Sequence, residues 1–157
     1  MRCSWLRTAG LALLGCGWLV PAVAQAPDEA VYAARVSRVF DGDTLWVQPL
    51  EGGRYRKLRI DGIDAPEICQ EGGLAARDVL AARVLHQVVE VRVRRHDDYG
   101  RGLARLRHQG DDIGGWLVSQ GVAWSYRWGR SSGPYGREEE AARRARLGVV
   151  ADTSAEQ

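Results

Sequence analysis

The chain is short of the groups on which several common chemistries depend. It has three cysteines in 157 residues, and two of them, Cys3 and Cys16, lie in the first stretch before Ala26. If that stretch is removed only Cys69 remains, which excludes an internal disulfide and a cysteine-built zinc site. The three histidines, His86, His96 and His108, are scattered and form no paired ligand motif. No glycine-rich phosphate loop follows a strand pattern, and no Gly-x-Ser-x-Gly elbow is present. Apolar runs long enough to span a bilayer are also missing.

The N-terminal stretch reads as an export signal over residues 1–24. Arg2 and Arg7 form a positive head, Ala9 to Val20 is apolar, and Ala22-Val23-Ala24 or Ala24-Gln25-Ala26 offers small residues for cleavage. Leu13-Leu14-Gly15-Cys16 also resembles a lipobox, so the alternative to a soluble periplasmic or extracellular protein is a membrane-tethered lipoprotein acylated at Cys16. Cleavage changes the charge. The full chain has 22 basic and 20 acidic residues, and loss of Arg2 and Arg7 brings the two counts level. A bulk basic attraction to nucleic acid is then absent. Any attraction must be local, built from Arg54, Arg56, Lys57, Arg59, Arg101, Arg127 and Arg130 if the fold gathers them.

What the chain does contain is concentrated in Arg59-Ile60-Asp61-Gly62-Ile63-Asp64-Ala65-Pro66-Glu67, where a basic strand runs into an acidic turn. Pro66 fixes its own φ and biases Ala65 toward an extended shape, which makes the bend stiff. Asp, Gly and Pro are also ordinary turn residues, and arginine beside them is compatible with a surface ion pair. Two further segments add to the set: Phe40-Asp41-Gly42-Asp43-Thr44 upstream and Asp98-Tyr99-Gly100-Arg101-Gly102-Leu103 downstream. Carboxylates hold hard cations and take protons from water, and guanidinium forks match phosphate oxygens. That combination suits metal-assisted attack on a phosphodiester.

In this order and spacing the three segments resemble the thermonuclease family, the calcium-dependent secreted nucleases related to staphylococcal nuclease. The resemblance spans about Val31 to Gly148. It implies Ca2+ held by Asp43, Asp64 and the carbonyl of Ala65, where well-known members have Thr. It implies Arg59, Glu67 and Arg101 as the catalytic side chains. Glu67 would act as general base, or would position water or order its loop. The resemblance further implies hydrolysis of DNA and RNA with release of 3′-phosphate ends, a preference for single strands, and aromatic residues flanking the nucleotide at Trp124, Tyr126 and Trp128. The alternative is a catalytically inactive OB-fold module that binds nucleic acid, as in relatives that have lost catalytic residues. Neither reading requires a protein partner, and a monomer is expected.

The periodicity predicts one domain over residues 28–150, followed by a flexible tail at 151–157. Strand patterns cover Val31 to Phe40, Thr44 to Val47 and Arg54 to Ile63, joined as a meander. A helix is predicted from Leu74 to Val88 with Leu80, Ala81, Val84, Leu85 and Val88 on one face. Strands follow at Val89 to Arg94 and Gly102 to Arg107. A second, glycine-weakened helix at Asp112 to Gln120 is capped by Asp111 or Asp112, and a last helix runs from Pro134 to Leu147. Three strands, a helix and two strands give a mainly β, α+β fold, a five-stranded OB-type Greek-key barrel with about three helices. Asp97 and Asp98 are expected to shape a turn and are left outside the site.

Overall fold

The computed structural model describes residues 31–152. The leader, Cys16 and the last five residues of the tail lie outside the described residues. Among the described residues no helix is long and apolar enough to cross a membrane.

Five strands close into the expected barrel. They are β1 (Val31–Val39), β2 (Thr44–Pro49), β3 (Arg56–Ile60), β5 (Val88–His96) and β6 (Gly102–His108). β1 lies between β2 and β5, all antiparallel, and β6 pairs antiparallel with β5. A parallel pairing of β3 with β6, Arg59 opposite Leu103, completes the circle. Alternation decides what faces inward: Ala34, Val36, Leu45, Val47, Leu58, Ile60, Val89, Val91, Ala104 and Leu106 are buried, while their neighbours in sequence, apart from the buried Thr44, are partly or fully exposed. Register shifts between Val36 and Arg38 and between Val93 and Arg95 bend β1 and β5 enough to close the barrel.

Helix α1 (Gly73–Val84) adds Leu80 and Val84 to the same core, and α2 (Ile113–Ser119) adds Ile113, Leu117 and Val118. The predicted helix to Val88 is four residues too long. Val84, Leu85 and Val88 fit a helical stripe and a strand alike, but Val88 pairs opposite Arg35 in β1. The barrel's hydrogen bonds decide the matter, and the helix ends with Leu85 extended and His86 left-handed at φ 64°. The strand predicted from Arg54 to Ile63 is also divided. Only Arg56 to Arg59 pair with β2, and Gly62, at φ 88°, turns the chain into β4 (Ile63–Asp64). β4 pairs with β8 (Trp124–Ser125), Asp64 opposite Trp124, and this second small sheet sets the site's acidic turn in place.

The C-terminal part docks more firmly than its composition suggests. Gly114 and Gly115, which weaken α2 as an isolated helix, lie under the ring of Tyr135. A Cβ at either would approach side-chain atoms of Tyr135 to 3.0–3.2 Å. Tyr135 Oη donates to Asp112 Oδ1 at 2.8 Å, and the same Oδ1 accepts the Gly115 N–H at 2.9 Å as the helix cap. Burial and the neighbouring Asp112 carboxylate push the Tyr135 phenol well above its usual pKa. The helix predicted from Pro134 to Leu147 is confined to α3 (Gly136–Arg144), and a fourth helix, α4 (Gly148–Asp152), follows Arg146 at φ 54°. Val150, on α4, is fully buried. A short two-residue strand, β7 (Asp111–Asp112), turns back to pair antiparallel with the end of β6 just before α2.

Candidate active site

The acidic and basic segments meet where β2 and β3 leave the barrel. Thr44 lies opposite Arg59, so Asp43 stands beside the Arg59 guanidinium. Arg59 Nη1 donates to Asp43 Oδ1 at 3.2 Å and lies 2.9 Å from Oδ2, while Nη2 donates to Asp64 Oδ1 at 2.6 Å. One arginine thus bridges the two carboxylates assigned to the cation by resemblance. Asp41 shapes the turn: its Oδ1 accepts the N–H groups of Asp43 and Thr44 at 3.0 and 2.6 Å. Glycine at 42 is required by close approach, because a Cβ there would come within 2.7 Å of the Cβ atoms of both Ala65 and Ala76. The turn carrying Asp43 therefore rests directly on Ala65, next to Asp64.

Asp43 is 3 % exposed. Burial raises its carboxyl from the ordinary 3.8 to about 7, with the carboxylates of Asp41 and Asp64 adding to the effect and Arg59 and the Thr44 hydroxyl opposing it. Burial also works against the charge of Arg59, but Asp43 and Asp64 more than offset it and hold the guanidinium above its ordinary value. The two tendencies compete, since an ionised Asp43 is what favours Arg59 most. Desolvation prevails at the more deeply buried partner. Asp43 Oδ2 is buried without a hydrogen bond, because its approach to Nη1 is out of line with the N–H. An oxygen in that state fits a cation ligand. Among the described residues, no three Asp, Glu, His or Cys side chains gather into a ready metal cluster.

Arg101 leaves the β5–β6 turn one residue before Gly102, which pairs with Leu58. Asp97 fixes it: Oδ1 accepts the Arg101 N–H at 2.8 Å and Oδ2 accepts from Nε at 2.7 Å. Desolvation opposes the charge of Asp97, but together these bonds, the Arg101 charge and a bond from the Tyr99 N–H outweigh it and hold the carboxyl below the usual range. With Nε engaged, the terminal nitrogens of Arg101 donate to no partner among the described residues, and its guanidinium lies over Tyr99 at 5.6 Å. Arg59 and Arg101 line one cleft of about 310 Å³ with Arg95, Tyr99 and Tyr126.

The remaining expected residues are distributed unevenly. Glu67 is exposed on the loop after β4; its backbone N–H donates to Gln70 Oε1 at 2.8 Å, and its carboxylate makes no hydrogen bond among the described residues. Tyr126 is in the cleft, its N–H bonded to Gly62 O at 2.9 Å. Trp124 is half-buried on β8, and Trp128, 80 % exposed, lines the adjoining cleft instead. Three roles escaped the sequence reading. Asp97, taken as a turn former, also orients Arg101. Glu139, four residues before Arg143 on the last helix and bonded to it, is also buried and accepts from Ser125 N at 2.9 Å and from Arg127, thereby anchoring β8 and with it Asp64. Arg105 was legible only as a position on a predicted strand, and Arg95 lies just past the strand predicted to end at Arg94, which β5 extends to His96.

Residues 57–152 match the model of the staphylococcal nuclease homologue family. The chain is 34 % identical to a micrococcal nuclease of Shigella flexneri, over 97 % of this chain and 92 % of that protein. It is 32 % identical to an uncharacterized endonuclease of Haemophilus influenzae, over 76 % of this chain and 67 % of that one. Protein ParB of Escherichia coli is 35 % identical, over 85 % of this chain and 80 % of its own length. With barrel, acidic turn and paired arginines in this arrangement, the chain belongs to the staphylococcal nuclease homologue family and is a nuclease.

Proposed function

We propose that the protein is an exported, calcium-dependent phosphodiesterase that cuts DNA and RNA, preferring single strands, and leaves 3′-phosphate ends. The reading rests on one observation above all, the cleft in which Arg59 and Arg101 face common space while Arg59 is tied to Asp43 and Asp64. Two guanidinium groups there suit the equatorial oxygens of a phosphate, whose charge grows as a fifth ligand approaches phosphorus.

Asp43, Asp64 and the Ala65 carbonyl are the groups that would hold Ca2+, and the buried Oδ2 of Asp43, which accepts no hydrogen bond, supports that assignment. When bound, the ion supplies Lewis-acid stabilisation of the phosphoryl oxygens. Arg59 and Arg101 orient the phosphodiester and offset its developing charge. Glu67, whose exposed carboxylate makes no hydrogen bond among the described residues, takes the proton of the attacking water. The new P–O bond forms as the bond to the 5′ oxygen breaks. That oxygen leaves as a hydroxyl with a proton taken from solvent water, and the phosphate stays on the 3′ side. Tyr126, at the cleft wall, offers a face for an unpaired base.

The test is digestion of heat-denatured DNA by purified protein. Cleavage is expected in calcium, absent with chelator, and reduced by at least about 10²-fold in Glu67→Gln. Products should accept a 3′ label only after phosphatase treatment. Digestion indifferent to chelator, or none in calcium, would overturn the proposal. The mass of protein recovered from the periplasm or medium tests the leader: cleavage after Ala24 or Ala26 is expected, and retention of an acylated Cys16 would replace export with tethering.

A further inference from the structure

Beside the Arg59–Arg101 cleft lies a second one, of about 410 Å³, lined by Arg94, Arg95, Arg105, Tyr126 and Trp128. The two share a wall made by Asp61, Gly62, Arg95 and Tyr126. Three observations set this second cleft apart from an ordinary solvated surface. Arg105 is only partly exposed, and its Nε is buried without a hydrogen-bond partner, an expensive state for a charged donor. Arg95 is exposed and, among the described residues, forms no ion pair or hydrogen bond, although Asp61 on the same wall is taken by Arg94 at 2.8 Å. Trp128, one of the largest apolar side chains, is 80 % exposed at the rim.

We infer that this cleft is a second nucleotide subsite, in which Arg95 and Arg105 bind a phosphate next to the scissile one and Trp128 stacks on the base that accompanies it. The inference rests on the nuclease reading for the identity of the scissile phosphate, and it names the substrate class more closely: a single-stranded oligonucleotide that continues past the cleavage point. The chemistry is that of single-strand binding, a cationic groove for the backbone and an aromatic face for bases of any sequence. A duplex does not present an unstacked base to Trp128. The barrel explains the placement. Arg105 lies opposite Arg92 across β5 and β6, and the shift between Val93 and Arg95 turns Arg95 toward the shared wall.

The experiment measures binding of a fluorescent single-stranded octanucleotide and a dinucleotide in chelator, with Arg95→Ala, Trp128→Ala and Arg105→Gln beside the unaltered protein. Arg95 and Trp128 are exposed, so those two variants should keep the native melting temperature; Arg105→Gln supports the case only if it does too. Octanucleotide affinity should fall about tenfold in Trp128→Ala. It should fall severalfold in Arg95→Ala, with the slope of log affinity against log salt reduced by about 0.7, the loss of one single-strand phosphate contact. Dinucleotide binding should not change in Trp128→Ala, because Trp128 lines the second cleft and not the first. Unaltered octanucleotide affinity in both exposed variants overturns the inference, as does an equal loss for both ligands in Trp128→Ala or failure of the unaltered protein to bind the octanucleotide. Because cleavage is not read, a chain that binds in this way without cutting retains the subsite and loses only the catalytic proposal.

Discussion

Replacing Asp43 by Asn should make the metal-free protein more stable, and by an amount that grows with pH. In the folded state the Asp43 carboxyl titrates at about 7 rather than 3.8, chiefly because it is buried. The sign follows from proton counts: between those values the folded state holds a proton that the unfolded state has lost. Stability therefore falls as pH rises through that window. At 1.36 kcal/mol per pH unit, the interval corresponds to about 4 kcal/mol once both states are ionised. An amide resembles the neutral carboxyl and avoids that cost. Asp43→Asn should thus exceed the wild type by about 4 kcal/mol at pH 8 and by less than about 2 kcal/mol at pH 5, with the difference nearly gone by pH 3.5. Urea unfolding in chelator across this range measures it. Added calcium should reverse the order, since a ligand at 100 times its Kd adds about 2.7 kcal/mol to the protein that binds it. A difference that does not vary with pH, or one that grows toward acid, would refute the reasoning and mean that Arg59 keeps Asp43 ionised.

Other outcomes follow from particular contacts. Glu139→Gln should lower stability by about 3 kcal/mol in chemical denaturation, because two arginines lose their buried carboxylate, and should reduce cleavage as β8 loosens its hold on Asp64. Asp97→Asn should lower kcat/KM by about tenfold with little change in melting temperature, since it frees an Arg101 whose terminal nitrogens are needed at the phosphate. His86→Gly should raise stability by about 0.5–1 kcal/mol, as His86 is exposed and sits at φ 64° just past the end of α1. Tyr135→Phe should cost about 1.5–3 kcal/mol by removing the bond to Asp112.

The sequence by itself determined the strand order, the barrel class and the three segments that carry chemistry. Those features are written locally: two-residue alternation in Val89 to Arg94, turn residues at Asp41 to Asp43, and a proline after Asp64 and Ala65. Pairing decided the rest. Val88 suits a helix until β1 offers it a partner, and Ile63 suits the third strand until β8 claims it. The glycines of α2 read as weakness because the ring of Tyr135 that fills their space is twenty residues away. Glu139 looks like one half of a helix-surface pair, yet tertiary packing buries it against β8. The second arginine cleft exists only because β3 and β6 meet in parallel and bring Asp61 and Gly62 beside Arg95 and Arg105. Local propensity names a residue's conformation and its chemical capacity, but its neighbours, and hence its charge state and role, are set by closure of the barrel.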